Sequence, residues 1–169
     1  GANGGGIIII RAAAIVSNNA VIESSGNSAG VLYNSIGDGA GGGGGGGVII
    51  LDAGSVNGFL DLMVNGGNGG DQQTTYPACF GPGGGGGAGA ILLTSSALPI
   101  GVPATFIMGM PGVHTTGSSP CYSQSYGATQ GEGGSETEIL YYNVVLPEST
   151  VSISGIDLGP DVETCADSY

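Results

Sequence analysis

Lysine and tryptophan are absent from this chain of 169 residues, and arginine and histidine occur once each, as Arg11 and His114. Each shortage removes a class of function. Without several Lys or Arg side chains nothing can neutralise a phosphate backbone, so nucleic acid is excluded as a partner. An anionic membrane surface is disfavoured for the same reason. A single histidine cannot build a two-histidine zinc site. The apolar run Ile7–Ile10 is far too short to enter a bilayer. No signal peptide is recognisable, and the chain opens in the middle of a glycine motif, which points to a mature or internal piece of something longer. No stretch carries a sustained helical period between capping residues.

What is present is acid, glycine and blocks of aliphatic side chains. Thirteen carboxylates give a formal net charge of −12, and they crowd toward the C-terminal fifth. The 38 glycines and 8 prolines reach a share usually read as low complexity. Against that, Leu, Ile, Val and Phe number 40 and stand in compact blocks, more than a disordered chain carries. The glycines are therefore expected to be ordered, in one domain able to bury a core.

The organising stretch is Gly39–Leu51, in which Gly-Ala and seven glycines lead into Val-Ile-Ile-Leu. Gly1–Ile10 is an earlier copy and Gly81–Leu93 a later one. Ile7–Ile10 and Val48–Leu51 align at an offset of 41, and Val48–Leu51 and Ala90–Leu93 at 42. The second halves align at 41 as well, with residues 21–29 over 62–70. A period near 42 means stacked units, none able to bury its apolar face alone. The fold expected is all-β: short strands with ordered glycine runs beside them, solenoid- or sandwich-like. Its repeats cover 1–38, 39–80 and 81–130, with an eroded, acidic cap over 131–150. Each unit reads as a glycine run, a first strand (7–10, 48–51, 90–94), a turn, a second strand (20–23, 59–64, 104–108) and a variable loop. In the cap, residues 139–142 take the place of the first strand. Nearly continuous apolar strands predict cover on both faces.

Seven consecutive glycines could be a flexible linker. They contain no serine, abut an apolar strand and recur at the repeat period, which favours an extended helix of the polyproline-II type. Such a helix has three residues per turn and would span roughly 22 Å. It has no internal hydrogen bonds, so its N–H and C=O groups must find partners on neighbouring runs, and only glycine permits the approach.

Cys79 precedes Phe80 and Cys121 precedes Tyr122, one repeat apart. Matching positions on adjacent strands lie within disulfide reach, so a Cys79–Cys121 bridge is expected, with two buried thiols as the alternative. Cysteine with almost no lysine fits an oxidising, extracytoplasmic setting. Gly66–Asp71 matches the opening of a calcium-binding nonapeptide, which makes Asp71 a metal candidate. The apolar eighth residue is missing and the motif stands alone, so a glycine-rich turn is the preferred reading. His114 lies in a Pro-Gly-Val-His-Thr-Thr-Gly loop with no nucleophile to serve. Glu136 and Glu138 sit in an acidic surface run. The glycines precede strands rather than helices, and no phosphate loop follows from them. No cofactor is implied.

Ile156–Cys165, Ile-Asp-Leu-Gly-Pro-Asp-Val-Glu-Thr-Cys, resembles the opening of the PKD-like and Ig-like repeats of very long Bacteroidetes cell-surface proteins. The blocks Asn-Gly-Gly-Asn-Gly-Gly and Cys-Phe-Gly-Pro-Gly-Gly-Gly-Gly-Gly look like the glycine-rich segments of the same proteins. That resemblance implies type IX export, an association with gliding motility, and adhesion. It also makes 151–169 the start of a following module and assigns Cys165 to it. Glycine-rich bundles of phage tail-tip adhesins and of an insect antifreeze protein keep a receptor-binding tip and an ice-binding module as alternatives. The expected function is a non-enzymatic structural or adhesive segment at the cell surface. Its partners would be neighbouring copies or modules, glycans or surfaces, and its contact surface Tyr76, Phe80, Tyr122 and Tyr126 on the loops at 71–80 and 112–130.

Overall fold

The computed structural model describes residues 1–33, 38–74, 79–94, 98–116 and 120–138. The cap segment 139–150, the module expected at 151–169 and the side chain of Tyr76 lie outside these. The described residues are all-β, with no helix and with every strand pairing parallel.

The chain runs out and back. Outbound legs carry β1 (Ile7–Ala12), β5 (Val48–Ala53), β9 (Ala90–Leu93) and β11 (Ser135–Glu138), which form one sheet in the order β1-β5-β9-β11. Return legs carry β3 (Ala20–Glu23), β7 (Leu60–Met63) and β10 (Ala104–Thr105), which form a second sheet. Two small ladders complete the set: β2 (Ile15–Val16) with β6 (Val56–Asn57) at the turn between legs, and β4 (Leu32–Tyr33) with β8 (Gln72–Gln73) where the return legs end. Sequence patterning predicts none of these two-residue strands.

Period-two alternation aims one row of each strand at a shared core. Ile49, Leu51, Ile91 and Leu93 from the outbound sheet meet Leu60, Leu62 and Val64 from the return legs, all at most 3% exposed. The opposite row is not covered. Ile7 and Ile9 are 72% and 69% exposed, so the expectation of cover on both faces is wrong. Only one sheet faces each apolar run, and in the outer row the central Val48, Ile50, Ala90 and Leu92 are half-buried while Ile7 and Ile9 on the edge strand are exposed.

Register follows the expected offsets on the outbound side, Ile7 beside Val48 and Val48 beside Ala90. On the return side it does not. Ala20 pairs with Leu60 and Ile22 with Leu62, an offset of 40. The turn from β1 to β3 holds one residue more than the turn from β5 to β7, with Asn19 at φ 54° and Gly58 at φ 95° in the left-handed region. The slip matters because it decides which face each side chain takes. Ile22 packs against the core and Val21 is left 53% exposed. The fourth outbound strand begins at Ser135, beside Ala90, rather than at residue 139.

Beyond the apolar core the two layers close to backbone contact, and the glycines occupy this part. Successive outbound runs are joined at every third residue: Ala2 to Gly42 and Gly5 to Gly45, then Ala40, Gly43 and Gly46 to Gly81, Gly84 and Gly87, with each amide donating to the later carbonyl. Return runs are joined alike, Gly26 and Ala29 to Asn65 and Asn68, and Gly66 and Gly69 to Ile107 and Met110. A second set of bonds links the layers, with Gly44 and Gly47 donating to Asn27 and Ser24, and Gly83, Gly86 and Gly89 to Gly70, Gly67 and Val64. Partner numbers fall as donor numbers rise, so the layers run antiparallel. Both Gly66–Gly70, expected as a turn, and 106–113, of which 106–108 was expected to continue a strand, are runs of the second layer. A run with no internal bonds satisfies its polar groups only through such neighbours.

Candidate functional site

The loop edge is built where the return legs leave the glycine layer. Cys79 and Cys121 form a disulfide there, their Cα atoms 5.8 Å apart and 42 residues apart in sequence. Isolated parallel bridges connect Gln72 to His114 and His114 to Tyr122, bringing the loops after residues 71 and 112 side by side. His114 is fully buried, and its Nε2 lies 2.5 Å from the carbonyl oxygen of Phe80. A carbonyl can only accept, so Nε2 donates to it, and Nδ1 is buried with no partner among the described residues. The histidine is thus a structural member of the loop edge. Gln72, Thr74 and Cys121 are buried beside it in the same loops.

Of the four expected contact residues, Tyr122 and Tyr126 are 54% and 57% exposed. Phe80 is half-buried. Tyr126 and Ser123 hold left-handed backbone, φ 45° and 63°, which non-glycine residues adopt rarely. Tyr33 joins this edge unforeseen, 66% exposed and in register with Gln73. Its signal was the repeat register itself, which carries residue 33 onto the start of the loop at 71–80.

Asp71 has a different task from the one its motif suggests. Its Oδ1 accepts the amide of Val113 at 2.9 Å. It is one rung of a side-chain ladder along the second glycine layer, in which Asn65 and Asn68 accept the amides of Ile107 and Met110, each at 2.8 Å. One step earlier, Ser25 and Ser28 accept the amides of Asn65 and Asn68 at 3.1 and 3.0 Å. No group of three or more His, Cys, Asp or Glu able to hold a metal occurs among the described residues. Asn68→Ala should cost about 1 kcal/mol, since the Met110 amide loses its partner at a partly wet site, while Asn68→Asp keeps the acceptor and most of the stability. Urea denaturation of the two variants checks this.

The sole arginine lies on the outer row, its Nε 3.2 Å from Asp52 Oδ2, and Asp52 Oδ1 accepts the hydroxyl of Thr94 at 2.8 Å. The two side chains are 64% and 42% exposed, so solvent screens the pair and this ladder adds little stability. No helix among the described residues is long and apolar enough to cross a membrane. No protein-family model, curated protein or solved structure matches the chain.

Proposed function

We propose that the chain is a non-catalytic structural and adhesive segment working outside the cell. In this reading it is a solenoid-like stack of coils of about 42 residues, each out-and-back pass forming one coil. Its glycine runs are polyproline-II-type helices packed in two layers, and its loop edge is the contact surface. The observation that carries the reading is the period-three bonding, Ala40, Gly43 and Gly46 to Gly81, Gly84 and Gly87, repeated in both layers. Three residues per turn is the geometry of such helices. A body made of backbone joined to backbone is stiff and featureless, a good spacer and a poor place for reaction chemistry. The disulfide suits an oxidising compartment. Surface proteins of the Bacteroidetes gliding-motility class fit this role, with copies of the same protein, neighbouring modules or glycans as partners.

A receptor-binding tip is the second reading, favoured by one feature. Tyr33, in register with Gln73, and Tyr122, bridged to His114, both stand exposed on the loop edge. Aromatic rings held by a rigid frame give contact area at low entropic cost. Beads coated with the full chain, passed over a panel of polysaccharides and bacterial surfaces, should be retained by at least one of them. The pair Tyr76→Ala and Tyr122→Ala should lower that retention at least about tenfold. Unaltered retention would remove the loop edge from the adhesive reading.

A further inference from the structure

The outward sides of the two glycine layers are finished differently. In the return layer five outward amides are capped by side chains of the coil before. Ser25 and Ser28 accept from Asn65 and Asn68, and Asn65, Asn68 and Asp71 accept from Ile107, Met110 and Val113. In the outbound layer the equivalent place, whose carbonyl takes an amide of the coil before, is held by Gly42, Gly45, Gly84 and Gly87. No side chain caps these four. Their amides meet no partner among the described residues, and neither do the carbonyls of Gly43, Gly46, Gly85 and Ala88. Every other amide and carbonyl of 42–47 and 84–89 is used along the layer or toward the return layer, so the unmet groups belong to the third, outward side.

Packing does not demand glycine at these places. A Cβ on Gly42, Gly45 or Gly84 would stand 3.5, 3.8 or 3.5 Å from the nearest carbonyl oxygen, ordinary contact, and the return layer carries Asn, Ile and Met at the matching positions. Side chains are missing where there is room for them. Unmet donors and acceptors on a bare backbone suit the close approach of another backbone. The surface runs on into the outer row of the outbound sheet, where Ile9, Ile50 and Leu92 stand in register. Residues 39–51 and 81–94 carry no charge. Glu132 on the fourth leg and the Arg11–Asp52 pair stand at the rim.

We propose that the outward face of the outbound legs is a self-association surface, on which a second copy of the chain docks through the same face. Hydrogen-bond polarity permits it, because unmet donors and acceptors are equal in number and the face can meet its own image. A two-fold axis along the legs sets glycine against glycine and aliphatic row against aliphatic row. The occupant has to bring several glycine runs side by side. Residues 139–169 hold two glycines, so within this sequence only another copy supplies such an array. Size permits it as well. A leg such as 39–51 spans roughly 40 Å at about 3.1 Å per residue. Four legs about 4.8 Å apart then offer about 800 Å², the area each partner buries in a standard interface. The outward side of the return layer is unsuited, since its amides are capped and its places are filled. The docking face rests on the runs being packed extended helices, and it holds whether or not the loop edge is adhesive.

Sedimentation velocity of the full chain over a wide range of concentration should show a reversible monomer–dimer equilibrium. In the double variant Gly42→Asn, Gly45→Asn each new side chain lies where it caps the amide of Gly84 or Gly87, as Asn65 and Asn68 cap Ile107 and Met110. Its melting temperature should hold or rise, while its dimer dissociation constant should increase at least about tenfold. Ile50→Lys, on the aliphatic part of the same face, should weaken the dimer by a similar factor of about ten, since a charge would enter a dry contact. Met110→Glu, 55% exposed on the outward side of the return layer, should leave the dimer unchanged. A monomer at every concentration overturns the proposal. So does a dimer that neither outbound-face variant weakens, one that Met110→Glu weakens as much, or association that grows without closing at two. If the extended-helix reading itself fails, an alanine scan of 42–47 loses its period of three; if the docking face alone fails, that period remains and the protein stays monomeric.

Discussion

Gly86→Ala should cost about 3 kcal/mol or more, while Gly45→Ala should change stability by no more than about 1 kcal/mol in either direction. The contrast follows from the three faces of a run. A Cβ on Gly86 would lie 2.0 Å from the carbonyl oxygen of Gly44 and 2.5 Å from its carbon. Both are backbone atoms of a run that is itself bonded on two sides, so nothing nearby can swing away. The Gly86 amide also donates to Gly67 across the layers at 2.8 Å, a bond that the displaced run would lose. At Gly45 the nearest atom to an added Cβ is the Gly87 oxygen at 3.8 Å, ordinary contact, and the residue is exposed. Gly42 behaves like Gly45, with 3.5 Å to Gly84 oxygen, whereas Gly43 and Gly44 each face a carbonyl oxygen 2.0 Å away. An alanine scan of 42–47 followed by urea denaturation should therefore rise and fall with a period of three. A uniform cost at every position would show that the runs are ordinary loops.

That period was visible in part from residues alone. Ile7–Ile10, Val48–Leu51 and Ala90–Leu93 could be laid over one another because each follows a glycine run directly, and their observed pairing matches. Cys79 and Cys121 were found by the same ruler. The return side was harder to read. Gly26 over Gly67 and Asn27 over Asn68 gave an offset of 41, but the extra residue in the first turn shifts the strand pairing to 40, so Ile22 rather than Val21 lies beside Leu62. The second glycine layer was missed because its outward positions are filled. Asn65, Asn68 and Asp71 recur every third residue within Asn-Gly-Gly-Asn-Gly-Gly-Asp, which is the signature of an extended helix with one decorated face. Read as a glycine-rich turn, the same letters lose their period. The burial of His114 was beyond reach from sequence, since it depends on the Phe80 carbonyl meeting it across the loop edge.

Reduction of the Cys79–Cys121 bond should loosen the loop edge while leaving the glycine layers closed. The bond spans 42 residues, and a loop of that length corresponds to roughly 4 kcal/mol of denatured-state entropy, the second large effect expected here. The loss should be local at first, because the contacts nearest the bond are those of the loop edge itself: the bridges of His114 to Gln72 and Tyr122, the backbone bonds of His114, Thr115, Ser123 and Gln124, and the bond from His114 Nε2 to Phe80. The amides of Gly83, Gly86 and Gly89 are held by Gly70, Gly67 and Val64 within the glycine layers. Hydrogen exchange of the reduced protein should therefore speed up at residues 114, 115, 123 and 124 and stay slow at 83, 86 and 89. Protease cleavage should fall first within 112–130. In the Cys79→Ser, Cys121→Ser variant the melting temperature should drop by about 8 °C or more, using the ordinary conversion of free energy to temperature for a domain of this size. Exchange that accelerates equally in the loops and the glycine layers would mean that the bond supports the whole body, and the loop edge would then have no independent order to lose.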